Sequence, residues 1–274
     1  MRTADHKKGQ SGFSLIEMMI AAAIFILLCG AAFALLSLAQ QRYQTESQVL
    51  NSFQEARFAL DDIVRDINGA GFPSPSEFSF NPTAPQSNFY ASTPVAWAPG
   101  YGTNTPCQIG TAGGGTCNPT PGDFDLIIER NPNPLQQSFV LWTRYQLSNN
   151  VLSRGQAEKT TGTGADPDGS TSTTFVPYVQ NVMNNASGTE IALFRTTYPQ
   201  MFPGGNPVPV FSYFCYTPAG TQPCPSAAAP YNEPVYVTDI EVTLIVMAPT
   251  KDAQTGAPRL IELHGRGHSV NTLQ

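Results

Sequence analysis

Charged side chains are scarce in this chain, at 12% of residues, and the 14 Lys and Arg are outnumbered by 20 Asp and Glu. A net charge of −6, with Lys159, Lys251, Arg154, Arg195, Arg259 and Arg266 scattered rather than set in a stripe, argues against a nucleic-acid partner. Short catalytic motifs are also missing. The chain has no Gly-x-Ser-x-Gly elbow, no zinc-protease helix and no dinucleotide fingerprint. Gly113-Gly114-Gly115 lacks the Gly-Lys-Ser or Gly-Lys-Thr that a phosphate cradle needs, and reads as a loop tip. Of three histidines, His6 lies near the N-terminus. His264 and His268 stand four apart on a predicted strand, ~13 Å from each other, too far to share a metal. The expectation is a protein without enzymatic activity.

What the chain does have is a long apolar run. Met18 to Gln41 is uncharged over 24 positions, ~36 Å as a helix and enough to cross a bilayer core. Glu17 is the one acid at its start. Arg2, Lys7 and Lys8, with His6, precede the run, whereas only Arg42 and Glu46 follow closely, so the positive-inside bias puts residues 1–12 in the cytoplasm and the remainder outside. A secretory signal would place its small-residue cleavage site after the apolar core. Here the plausible site lies before it, between Gly12 and Phe13, so the apolar segment would be kept.

Gly12-Phe13-Ser14-Leu15-Ile16-Glu17, followed by Met-Met-Ile-Ala-Ala-Ala-Ile-Phe, resembles the N-terminus of type IV prepilins, the class shared by pilins and type II secretion pseudopilins. The resemblance implies that prepilin peptidase removes a leader of residues 1–12 and that Phe13 is then N-methylated. It also makes Glu17 the assembly residue. An unpaired carboxylate beside hydrocarbon is costly, and the α-amino group of Phe13 in a neighbouring subunit is a candidate partner for it. A chance acid on a simple anchor, or an uncleaved anchor that never polymerises, are the plainer alternatives.

The helix is expected to continue beyond the membrane to residue 68. Val49, Phe53, Ala56, Leu60, Ile63 and Ile67 recur at spacings of three and four and form one stripe. Arg57 with Asp61, and Asp61 with Arg65, stand at ion-pair spacing. Asn68-Gly69-Ala70-Gly71-Phe72-Pro73 ends it. The predicted rod, residues 13–68 with its membrane-spanning part over about 18–41, leaves residues 69–274 for one extracytoplasmic head. The chain has 24 Pro and 23 Gly, nearly all of them after residue 68, and the head reads as loop-rich and β-leaning. Strand patterns fall at 123–129, 138–147, 151–154, 175–182, 190–194, 211–216, 235–247 and 259–268. The clearest is the last but one, where Ile240, Val242, Leu244 and Val246 alternate with Asp239, Glu241 and Thr243. Residues 147–151 read as a hairpin turn, and 73–122 and 155–174 as irregular or exposed loops. The fold class expected is α+β, a pilin-like lollipop with an antiparallel sheet against the outer half of the helix.

Cys29 lies in the apolar span. The other cysteines fall as Cys107 with Cys117 and Cys215 with Cys224, two short loops in an oxidising compartment, so local disulfides are favoured over a zinc site. Asp166 and Asp168 offer carboxylates to calcium, which some pseudopilins bind, but the twelve-residue calcium-loop pattern is not met. No other cofactor is expected.

Phe53 to Leu60, Arg65-Asp66-Ile67 and Ala70-Gly71-Phe72 are similar to the PilW-type minor pilins and the related J-type minor pseudopilins. That implies a low-copy structural subunit helping to start assembly of a type IV pilus, with the tip as a candidate position. Its partners would be other pilins and minor pilins through the N-terminal helices, prepilin peptidase, the inner-membrane assembly platform and, before assembly, membrane lipid. Its path would run from a single-pass inner-membrane protein with a periplasmic head to the pilus and cell surface. Two alternatives stand beside it: a minor pseudopilin of a type II secretion system, and a tip adhesin using loops 73–122 and 196–234 with Trp97, Tyr101, Tyr213 and Tyr231 as contacts.

Overall fold

A computed structural model describes residues 12, 14–73, 90, 92–103, 105–110, 115–133, 139–162, 164–251 and 256–269. The chain divides into two compact units, residues 1–48 and 49–274. Helix α1 (Leu15–Asn68) is 54 residues long, ~80 Å at the standard rise. In the first unit its side chains are exposed on every side from Leu15 through Leu38 and, Glu17 and Ser37 apart, apolar. The segment is long and apolar enough to cross a membrane, and none of it is buried.

The second unit, taken by itself, holds the last part of α1 and all the strands. β1 (Val95–Ala96), β2 (Asp125–Arg130), β3 (Leu141–Ser148), β4 (Val151–Glu158) and β5 (Val176–Gln180) form an antiparallel sheet in that order. β6 (Phe211–Thr217), β7 (Gly220–Pro223), β8 (Val237–Lys251) and β9 (Pro258–His268) form a second, ordered β7-β6-β8-β9. The architecture is α+β with an antiparallel head, as the strand patterns require, but the strands divide between two sheets. A bridge between Val182 and Val246 joins the end of β5 to β8. The turn between β3 and β4 is the expected hairpin. Asn149 and Asn150 both take positive φ, 50° and 62°, the two-residue geometry whose twist matches the flanking strands.

The stripe on α1 meets both sheets. Ala56, Leu60, Ile63 and Ile67 share one core with Leu126, Ile128, Tyr145, Leu147 and Leu152 of the first sheet and Tyr213, Val242, Leu244 and Val246 of the second. Each fully buried Leu or Ile contributes roughly 1.5–3 kcal/mol relative to exposure. Two glycines of β9 let the helix approach. A Cβ at Gly265 would stand 2.7 Å from Val64 Cγ2, and one at Gly267 2.5 Å from Ile67 Cγ2. The run His264-Gly265-Arg266-Gly267-His268 thus matters for its glycines as much as for its histidines. The helix end is tied to the same strand, since Asn68 Oδ1 accepts the His268 N–H at 2.8 Å and Ser269 Oγ donates to the Ala70 carbonyl at 2.9 Å.

Three expectations are corrected. Residues 190–194 are helical, not extended, within α3 (Gly188–Thr197). Ser187 and Glu190 form a reciprocal capping box, and Ile191, Phe194 and Tyr198, at helical spacing, pack with Met183, Phe202 and Ile245. This packing also covers the reverse face of β8 at Ile245, so β8 alternates only in its first half. The segment 155–174 is not a plain loop, because β4 runs to Glu158 and α2 (Pro167–Ser172) follows, capped by Asp166 accepting the Gly169 N–H at 2.9 Å. On α1, Arg65 pairs with Asp62 at 3.4 Å, three residues away.

Gly267→Val should force β9 or Ile67 to shift, and overpacking of this kind costs about 1–3 kcal/mol. A near-UV circular dichroism melt of the full-length protein in detergent should show a midpoint several degrees lower than that of Gly188→Ala, where the new Cβ meets open space. Equal midpoints for the two variants would contradict the close seat on β9.

Candidate functional site

The start of α1 is the first candidate site. Ser14 precedes the first helical residue, and Glu17 Oε2 accepts the Ser14 backbone N–H at 3.0 Å. Ser14-Leu15-Ile16-Glu17 has the spacing of a capping box, in which a carboxylate reaches back to a helix-start N–H otherwise without a helical partner. Glu17 also places negative charge at the positive end of the helix dipole. Gly12 is exposed, and a Cβ there would meet nothing within 4 Å. Phe13 and residues 1–11 lie outside the described residues.

The second site lies within the other unit, where α1 is pinned to the first sheet by a buried acid. Asp66 is 4% exposed. Its Oδ1 meets Arg130 Nη1 at 2.7 Å, and its Oδ2 meets Arg154 Nη2 at 2.8 Å. Tyr145 donates its hydroxyl to Oδ2 at 2.7 Å. Burial, then the charge of Asp66, holds the Tyr145 hydroxyl protonated far above the ordinary tyrosine range. One turn earlier, Asp62 accepts from the Tyr178 hydroxyl at 3.0 Å. Burial and that hydrogen bond push the Tyr178 pKa up to about 12. The Arg154 guanidinium stands 5.8 Å from the ring centroids of both tyrosines. The α1 pattern reveals none of this, because Asp66 falls beside the apolar stripe and its partners lie 64 to 88 positions on.

The head residues named as candidates sort differently. Cys107–Cys117 and Cys215–Cys224 are the two disulfides, with partners ten and nine residues apart. Cys29 is free and exposed. Of the proposed contact aromatics, Trp97, Tyr101 and Tyr213 are buried and do not form a surface. Trp97 and Tyr101 pack edge to face with centroids 5.2 Å apart, and Tyr213 donates to the Gly122 carbonyl at 2.9 Å. Tyr231 is half-buried against Tyr236. Asp166 caps α2, and the Asp168 carboxylate is ion-paired with Arg144. Arg144 is itself buried and grips Asp125 through both oxygens, at 2.9 and 2.6 Å. His264 meets Thr243 and Glu262, and His268 meets Asp239.

Residues 7–33 match the family model described as the prokaryotic N-terminal methylation motif. The match supports a type IV pilin- or pseudopilin-like prepilin, a structural class, and spans Gly12, Phe13, Glu17 and the apolar run as far as residue 33. The motif and the long apolar helix are together consistent with membrane anchoring. No curated protein and no solved structure matches the chain.

Asp66→Ala leaves Arg130 and Arg154 facing each other without their shared counter-charge. Removing one partner of a buried ionic cluster costs about 3–5 kcal/mol, and the partial exposure of both arginines places this case at the lower end. Urea titration of the full-length protein should show the midpoint falling accordingly, with Asp61→Ala, on the exposed face, close to wild type. Indistinguishable midpoints would remove Asp66 as the pin.

Proposed function

We propose that this protein is a low-copy structural subunit of a type IV pilus, cut between Gly12 and Phe13, methylated at Phe13, and drawn from the inner membrane into a filament whose assembly it helps to start, at or near the tip. The observation that carries the reading is the methylation-motif match over residues 7–33, sitting on a helix whose part from Leu15 to Leu38 is exposed on all sides and carries one acid, Glu17. A helix of that kind has no soluble resting place and needs lipid or other helices around it.

Extraction removes lipid contact from Leu15 to Leu38. Packing against the equivalent helices of neighbouring subunits offsets the loss. Glu17 supplies direction. Its hydrogen bond from Ser14 engages one oxygen, and a carboxylate in hydrocarbon needs more than one neutral donor. The α-amine created at Phe13 of the next subunit completes the pairing and sets the axial step. The burial of Trp97, Tyr101 and Tyr213 counts against an adhesive role for those side chains and favours the assembly reading.

Glu17→Ala is expected to leave membrane insertion and leader removal largely intact while depleting the protein from sheared filaments, as read by immunoblots of membrane and filament fractions. Wild-type amounts in the filament fraction would contradict the assembly role. Gly12→Val should hold the protein at precursor length on the same blots. A deletion strain that keeps its pili but no longer exports folded proteins would transfer the role to a type II secretion system.

A further inference from the structure

One ionisable pair in the head is sealed from water and unused by the assembly reading. Glu129 on β2 and Lys159, one residue past β4, are both fully buried, with Nζ 3.2 Å from Oε2. β3 runs between them. Glu129 pairs with Trp142 across one ladder, Trp142 with Ala157 across the next, and Lys159 follows two residues on, so all stand on one face of the sheet. The two oxygens of Glu129 are held differently. Oε1 accepts from the Tyr101 hydroxyl and from Trp142 Nε1, the latter at 2.8 Å. Oε2 accepts from the Thr93 N–H at 2.8 Å and the Thr93 hydroxyl at 3.2 Å, on the side where Lys159 stands.

This is the layout an acyl substitution requires: an amine held against a carboxylate, two fixed donors on the oxygen that would take up negative charge, and separate donors on the oxygen that would leave. We propose that Lys159 and Glu129 condense to an intramolecular amide, joining β2 to β4 over β3. A proton passes from the Lys159 ammonium to Oε2, and the freed amine attacks Cδ. Charge then gathers on Oε1 against Tyr101 and Trp142. The Cδ–Oε2 bond breaks as the new C–N bond forms, and Oε2 departs as water with two of the three ammonium hydrogens. No oxidant, reductant or second substrate is involved. Burial aids both ends of the reaction. It lowers the Lys159 pKa against the opposing pull of Glu129, favouring the nucleophilic amine, and it keeps away the water that would reverse the step. The sequence hides the pair because its two members lie 30 positions apart and neither belongs to a recognisable motif.

The test is mass spectrometry of the full-length protein purified from membranes in detergent, with disulfides reduced. The wild-type protein should be lighter than its processed composition by one water molecule, and a tryptic digest should contain a branched peptide joining Glu129 to Lys159, with no cleavage after Lys159. Lys159→Arg, which keeps the charge and cannot form the bond, should regain the missing water. A wild-type mass equal to its composition, with ordinary tryptic cleavage after Lys159, would overturn the proposal and leave the pair as a buried salt bridge. That measurement needs no variant to fold.

Discussion

The close approach of a helix to a β-strand underlies the whole second unit. α1 lies on β9 where Gly265 and Gly267 leave no side chains, and the space they vacate is filled by Leu60, Val64 and Ile67. Only with the helix at that distance does its stripe reach both sheets and close one core. Asp66 then fixes rotation and register, because an ion cluster has directional partners that an apolar stripe lacks. The apolar seam supplies most of the stabilisation, and the acid selects one arrangement among those that burial alone would permit.

The same division of labour recurs deeper in the head. Asp125 with Arg144, Glu129 with Lys159, and Asp66 with its two arginines are charges carried into low-dielectric surroundings and matched there. Each network ties segments distant in sequence. Arg144 binds α2 to β3 through the Asp168 carbonyl at 2.9 Å, and Glu129 secures the 92–103 segment through Thr93 and Tyr101. Segments with little repetitive structure hold their places through such polar anchors and through two local disulfides, in a chain whose charged residues are few. Nearly unbroken pairing of buried charge follows from cost, since an isolated one is far more expensive than a matched one.

The first unit obeys a different rule. From Leu15 to Leu38 no described residue covers the apolar surface, a surface that lipid or further helices would cover. Glu17 does a local task in supporting the helix start, and its placement at the mouth of an apolar segment leaves it available for a charged neighbour. A helix surface that lipid or other helices can cover in turn suits the filament-subunit role proposed for this protein.

Short-range signals were legible. The apolar run, the helix end at Asn68, the Asn149-Asn150 hairpin and both local disulfides rest on patterns within about a dozen residues, where spacing translates directly into geometry. The 190–194 segment was misread because a short apolar stretch suits strand and helix alike, and the capping box at Ser187 and Glu190 was the signal that separates them. In the same way α2 was hidden by its Gly, Ser and Thr content, although Asp166-Pro167 is a helix-start pattern. By itself, then, the sequence determined the membrane-length helix with its single acid and the β character of the head, because hydrophobic periodicity and composition are local properties. Only the tertiary structure decided that the strands form two sheets, that Asp66 and the β9 glycines seat the helix, that Trp97, Tyr101 and Tyr213 are interior, and that Lys159 meets Glu129. Those contacts join residues tens to hundreds of positions apart, and no local pattern encodes which distant side chain will complete a buried charge.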